Sequence, residues 1–410
     1  MSDLRERFHD LDALEVPDVF AHALAIGPRP PMPEPGPSTG RRIAIAGLAL
    51  AVGLAAVFLA KVMTSGPQRV PAATVTCPPG AWQRPEVSSI AGLAAKVAAT
   101  SPDDIWTLVW GATSGGGWGV HGARLLHLTG EGWQAVGLPP VTVYDMARSS
   151  SGDVWVLSRD AAWRLAGRSW AREQLPERLS SARAILPFGS DDVWVAGDMA
   201  HPSPASRLLH WDGTSWSDVT LPSTPPGSWI AAIGGSGPDD VWAIARSEGG
   251  VQPMHWDGSA WAALPSQPVP RIDELVTKIV ANAPDDAWLM AGTRLLHWDG
   301  AAWTIAHSAV RGAYSDLASG PSGTWLVDGA APSHKQLQLW DGTQWVPAPP
   351  TPRDSYLSAR GGPETIRLAV VGSEVVVIHG PWRWDRRNPN GSGTMTAGPI
   401  TAFTYTCGST

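Results

Sequence analysis

A chain of 410 residues has room for one large domain or two or three ordinary ones, and its formal charge of −7 at pH 7 comes with no basic run. That excludes the positive footprint of a nucleic-acid binder. Tryptophan, at 23, outnumbers phenylalanine and tyrosine together, and every one lies beyond residue 80, which suits large rings packed at fixed positions between sheets.

Residues 1–28 carry Leu4, Phe8, Leu11 and Leu14 on one face of a short helix. Val16 to Phe20 follow, with Pro17 suited to a helix start. So small a tail has no core for that stripe; unless the tail is disordered, a membrane surface or a cytoplasmic partner covers it. The phrase from Leu4 to Phe20 resembles the cytoplasmic leader of some single-pass actinobacterial membrane proteins. Residues 29–42 are Pro-rich and read as an extended linker. Arg41 and Arg42 then precede an uncharged run from Ile43 to Ala60, which with Val62 and Met63 reaches the roughly twenty residues needed to cross the hydrocarbon layer. Residues 43–63 are therefore expected to form one transmembrane helix. A cleaved signal peptide would have a far shorter segment ahead of its apolar run. Arg29, Arg41 and Arg42 before the span, against Lys61 and Arg69 after it, favour the N-terminus inside. The expectation is a cell-membrane protein with a cytoplasmic tail, a linker over 64–76 and an extracytoplasmic domain over 77–407.

Beyond the linker the chain repeats. Ser190 to Trp216 contains a turn and strand, Asp191-Asp192-Val193-Trp194, then a hairpin, His210-Trp211-Asp212-Gly213-Thr214-Ser215-Trp216. Both pieces return, placing Trp106, Trp155, Trp194, Trp242, Trp288 and Trp325 between 37 and 49 residues apart, the period of propeller repeats. Trp211, Trp256, Trp298 and Trp340 open the hairpins. In the cleanest unit, 229–264, strands are expected over Trp229 to Gly235, Val241 to Ser247, Met254 to Trp256 and Ala260 to Leu264, a four-stranded antiparallel blade. Gly258 supplies the hairpin's positive φ, flanked by Trp256 and Trp261 as cross-strand partners. First strands fall near residues 94, 141, 182, 230, 275, 313 and 356. The fold class is thus all-β, a seven-bladed β-propeller, or eight-bladed if the leftover segments Thr74 to Val87 and Ile400 to Cys407 build their own blade rather than completing the last one. In that last unit Gly362-Pro363-Glu364 is aligned with the Asp-Asp turn and Gly380-Pro381-Trp382 with the hairpin.

The Asp-Val-Trp strand with its Leu-Leu-His-Trp-Asp-Gly hairpin resembles the bacterial propeller repeats of DVW/HWDG type, relatives in architecture of kelch and WD-repeat propellers. The resemblance covers about residues 94 to 345 and implies the fold, with little about function. The abundance of Ala, Gly, Pro and Arg likewise resembles the output of a GC-rich bacterial genome. Cys77 and Cys407 bracket the repeats, and outside the membrane a disulfide between them would lock the ring; in the chain-entropy model so long a loop contributes at most about 5 kcal/mol.

No metal or other cofactor is expected. His127, His210, His255 and His297 recur at one repeat position, but copies on an outer strand diverge around a ring and cannot converge on an ion. The repeated aspartates read as turn residues, and the DGxxW hairpin resembles the structural Asp-box of bacterial sialidases. Ligand contacts are expected instead on loops between second and third strands and between blades. Trp118, His121, His201 and Lys335 lie off the repeat register in the second-to-third loops, which include 247–253. Arg271, Arg311 and Arg353 each precede an innermost strand and would suit a carboxylate, sulfate or phosphate if they face the axis. Within the repeat region GxSxG, HExxH and phosphate-cradling loops are absent. The reading is a binding module for a protein, glycan or cell-wall ligand, with a sialidase-like hydrolase or lyase as the alternative.

Overall fold

A computed structural model describes residues 80–83, 86–111, 122–198, 206–224, 227–247, 250–265, 276–308, 314–328, 336–348, 364–385 and 394–407. The expected tail, linkers and transmembrane helix over 43–63 lie outside the described residues, among which no helix is long and apolar enough to cross a membrane.

The unit at 229–263 shows how the sequence builds a blade. Its strands are Trp229–Gly237, Asp240–Ser247, Gly250–Trp256 and Trp261–Ala263, hydrogen-bonded in that order. The second strand is buried on both faces, which explains its unbroken apolar run. At the hairpin the Asp257 carboxylate accepts the backbone N–H groups of Ser259 and Ala260 at 2.9 Å each, and Gly258 sits at φ 86°. The third strand begins at Gly250, so most of the loop expected over 247–253 is strand; only 248–249 separate it from the second strand.

Six four-stranded sheets of this kind and one larger sheet follow one another. We number the blades by their first strands: Leu93–Ser101 (blade 1), Asp145–Arg148 (2), Ser181–Pro187 (3), Trp229–Gly237 (4), Val276–Ala283 (5), Asp316–Gly320 (6) and Glu364–Val371 (7). Consecutive first strands touch, and the last touches the first, so the ring is closed and has seven blades.

Blade 7 departs from expectation. Its innermost strand is Glu364–Val371, eight residues beyond the position near 356, so Glu364 begins a strand and does not form the turn. Gly380 and Pro381 lie inside the long second strand Glu374–Asp385, which pairs with Pro399–Thr406 through His379 and with Thr394–Ala397 from Trp382 onward. A Cβ at Gly380 would stand 2.9 Å from the blade 1 backbone at Gly92 and Ala94. Glycine is required by this close approach, not by a hairpin. The third strand is Pro399–Thr406, and the outer edge comes from the other end of the chain, Ala81–Trp82 and Glu86–Ala91. Both leftover segments therefore complete blade 7, which rules out an eighth blade.

The core lies between blades. Trp242 (blade 4), fully buried, meets Trp298 and Trp303 of blade 5 with centroids 6.0 and 5.6 Å away, and Trp288 meets Trp340 and Trp345 of blade 6 at 5.1 and 5.3 Å. Trp194 packs likewise on Trp256 and Trp261. The expected cross-strand pair of Trp256 with Trp261 forms, and Trp211 with Trp216, Trp298 with Trp303 and Trp340 with Trp345 pair in the same way. Trp325 closes the series on Tyr405 of blade 7.

Candidate functional site

The recurring histidines are spent on structure. His255 is the cross-strand partner of Trp242 and packs on its ring at 4.4 Å, while its Nε2 lies 2.7 Å from Asp240 Oδ1, the oxygen that also accepts the Trp242 indole N–H at 2.8 Å. Asp104, Trp106 and His127 repeat this unit, as do Asp192, Trp194 and His210, and Asp286, Trp288 and His297. The second aspartate of each Asp-Asp pair is thus more than a turn former: it clamps the second strand to the third. An Asp two residues before Trp, with His directly across, was the available signal. Burial alone would raise the Asp240 carboxyl, but hydrogen bonds from His255, Ser236 and Trp242 outweigh it and hold the group below the usual carboxylate range. Asp104 sits against the same burial; hydrogen bonds from Thr100, Arg148 and His127 bring it to about 2. In blade 2 Arg164 takes the histidine's place opposite Trp155, and in blade 6 Ser322 accepts the Trp325 N–H.

The chemistry that varies lies at the axis. One position on each first strand, opposite the second residue after the second-strand tryptophan in blades 1 to 6, carries Lys96, Asp145, Ala184, Ala232, Lys278, Asp316 and, in blade 7, Arg367. Unlike neighbours link blade to blade. Lys96 reaches Asp145 at 2.9 Å, and Asp145 accepts the Ile185 N–H of blade 3 at 3.0 Å. Lys278 reaches Asp316 at 2.8 Å, and Asp316 accepts the Leu368 N–H of blade 7 at 2.8 Å. Arg367 spans back to blade 1, its Nε donating to Ala95 O at 2.7 Å, and forward to Ser315 O. Below this belt a cavity of about 310 Å³ opens on the axis, bounded by first strands of blades 1, 2, 5, 6 and 7. Burial pushes the Lys278 pKa down against the pull of Asp316, and Lys96 and Arg367 depress it further.

Sequence reasoning missed this belt. The signal was its register: Lys96, Asp145, Ala184, Ala232 and Lys278 each stand ten residues before their second-strand tryptophan. The binding residues it did name, Arg271, Arg311, Arg353, Trp118, His121, His201 and Lys335, all lie outside the described residues, as does Cys77. Among the described residues no cluster of His, Cys, Asp or Glu could hold a metal.

The fold and its axial cavity define the class, a seven-bladed β-propeller. No family model and no curated protein matches the chain. Among solved structures it is similar to a catalytically inactive virginiamycin B lyase from Staphylococcus aureus with quinupristin, at TM-score 0.55 and 12% identity, covering 78% of this chain and 99% of that one. It is also similar to YCF48 bound to D1 peptide, at TM-score 0.52 and 15% identity over 80% and 96% of the two chains. YCF48 from Cyanidioschyzon merolae gives TM-score 0.50 and 14% identity over 78% and 98%. These likenesses establish the fold alone.

Proposed function

We propose that the chain is a membrane-anchored, extracytoplasmic binding propeller. A cytoplasmic tail and one transmembrane helix over 43–63 carry it, and its loop face takes a protein, glycan or cell-wall ligand without catalysis. The observation that carries this is where the blades differ. In-register Asp, His and Trp side chains are consumed in clamping strands and packing blades, whereas the connections between second and third strands run from residues 292–293 in blade 5 to 111–123 in blade 1. Trp118 and His121 fall in the longest of them, His201 and Lys335 in two others, and Arg271, Arg311 and Arg353 in the segments entering blades 5, 6 and 7. Unequal loops on a rigid ring are where recognition is placed. The fold's neighbours include a lyase structure with quinupristin and YCF48 with D1 peptide, so ligand binding and catalysis both occur on this scaffold. We infer a Cys77–Cys407 disulfide in keeping with the exterior placement, and what supports it is the pairing of Ala81 with Thr406, the residue before Cys407.

The test is binding of the full chain in mild detergent to glycans and cell-wall polymers, with product release assayed in parallel and Arg311→Ala and Arg353→Ala beside the parent. Binding without turnover, lost in the arginine variants, is the expected result. Turnover would replace it with a glycan hydrolase or lyase, and absence of binding would remove carbohydrate and leave a protein ligand for capture experiments. Thiol labelling of the denatured, unreduced chain should find neither cysteine free; two free thiols would sink the bridge.

A further inference from the structure

We propose that the axial cavity is a binding site for a small oxyanion, a carboxylate or phosphate group, received on the Lys278 ammonium that lines it, with Lys96 and Arg367 outside the lining adding positive field. The site goes beyond the loop-face reading and stands or falls separately from it.

Charge on the belt does not balance. Lys96, Lys278 and Arg367 meet two carboxylates, Asp145 and Asp316, and both are already committed. Asp145 takes Lys96 and the Met146 N–H on one oxygen and the Ile185 N–H on the other. Asp316 takes Lys278 on one oxygen and the Leu368 N–H on the other. The nearby Arg148 does not add to the excess, because it is neutralised by Asp104 at 2.6 Å. One positive charge is left over on a belt whose lysines stay partly accessible, Lys96 at 45% and Lys278 at 33% of the side chain. Its effect registers on Lys278, whose pKa burial pushes down and both Lys96 and Arg367 depress further.

Geometry supplies the room. Lys278 lines the cavity with 33% of its side-chain surface still accessible. An ammonium has three donors, and among the described residues Asp316 is the group to which Lys278 donates. A cavity of about 310 Å³ is roughly ten waters' share of liquid volume, enough for phosphate or a short carboxylate. Thr100, Ser149 and Ser150 add hydroxyl groups to its lining, and Val280, Leu368 and Val370 add apolar surface. An anion seated there offsets the two like charges that depress Lys278, so binding and protonation of this lysine strengthen each other.

Lysine is scarce enough to make this readable: Lys61, Lys96, Lys278 and Lys335 are the complete set. The full chain, labelled with ¹³C at lysine and solubilised in mild detergent, is titrated with acetate, inorganic phosphate and chloride, and Lys278 is assigned with Lys278→Arg. Saturable movement of the Lys278 signal with acetate or phosphate, with Lys61 unmoved, supports the site, and the stronger of the two anions names the ligand chemistry. In Lys278→Met the same titration read at Lys96 should weaken at least tenfold, while Arg207→Ala, on the outer face of blade 3, should match the parent. No saturable movement of Lys278, parallel movement of Lys61, or an equal response to chloride overturns the proposal. The parent titration decides the matter even where the methionine variant does not fold.

Discussion

The outer strands and the axis of this ring obey opposite rules. On the second and third strands the same residues recur, with Asp, Trp and His in blades 1, 3, 4 and 5 making the same contacts. On the first strands one register position runs through Lys, Asp, Ala, Ala, Lys, Asp and Arg. Equivalent positions diverge at the rim and converge at the axis. A rim residue therefore meets its own blade and the next, and one good solution can be copied. At the axis a copied charge would face its like, so Lys96 is followed by Asp145 and Lys278 by Asp316, while Arg367 and Lys96, where the ring closes, are neighbours of like charge.

Four substitutions separate the two rules. Trp242→Ala should have the largest effect, about 3–5 kcal/mol of stability, because the ring is fully buried and packs on two tryptophans of the next blade; urea unfolding followed by tryptophan fluorescence measures it. Asp316→Ala leaves Lys278 without its carboxylate and should cost about 3 kcal/mol, whereas the double variant with Lys278→Met should recover part of that loss. Asp240→Asn weakens a buried clamp by about 1–3 kcal/mol. Asp257→Ala, on an exposed hairpin, should have the smallest effect, a slight lowering of the urea midpoint; a loss matching Asp240→Asn would mean the hairpins, and not the clamps, hold the rim.

Acid should unfold the rim clamps in a defined window. Asp104 is depressed from 3.8 to about 2, and Asp240 and Asp286 are also held low. A carboxylate whose folded pKa is depressed contributes stability above its unfolded value and loses it as pH falls through the folded one. Urea midpoints should therefore drop between about pH 4 and pH 2, and Asp104→Asn should flatten that drop. An unchanged slope would show that these clamps do not carry the acid sensitivity.

Much of the rim was legible beforehand. The spacing of Trp106 through Trp325, the Asp-Gly hairpins and the pairing of Trp256 with Trp261 are local features, fixed by turn chemistry and by side chains a few residues apart, so sequence alone determined the blade and its repetition but left seven and eight blades both open. The histidines were read correctly as structural, but their partner was missed, because joining Asp240 to His255 requires the register of two strands. Blade 7 was misplaced by one strand because Glu364 to Thr406 has no Asp-x-Trp landmark, and its outer edge comes from residues 81–91 at the far end of the domain. Only the tertiary structure could decide that closure, and only closure brings Lys96, Lys278 and Arg367 onto one belt. Sequence sets what each blade does to its neighbour; the axis belongs to no blade, and its charges acquire meaning when the ring shuts.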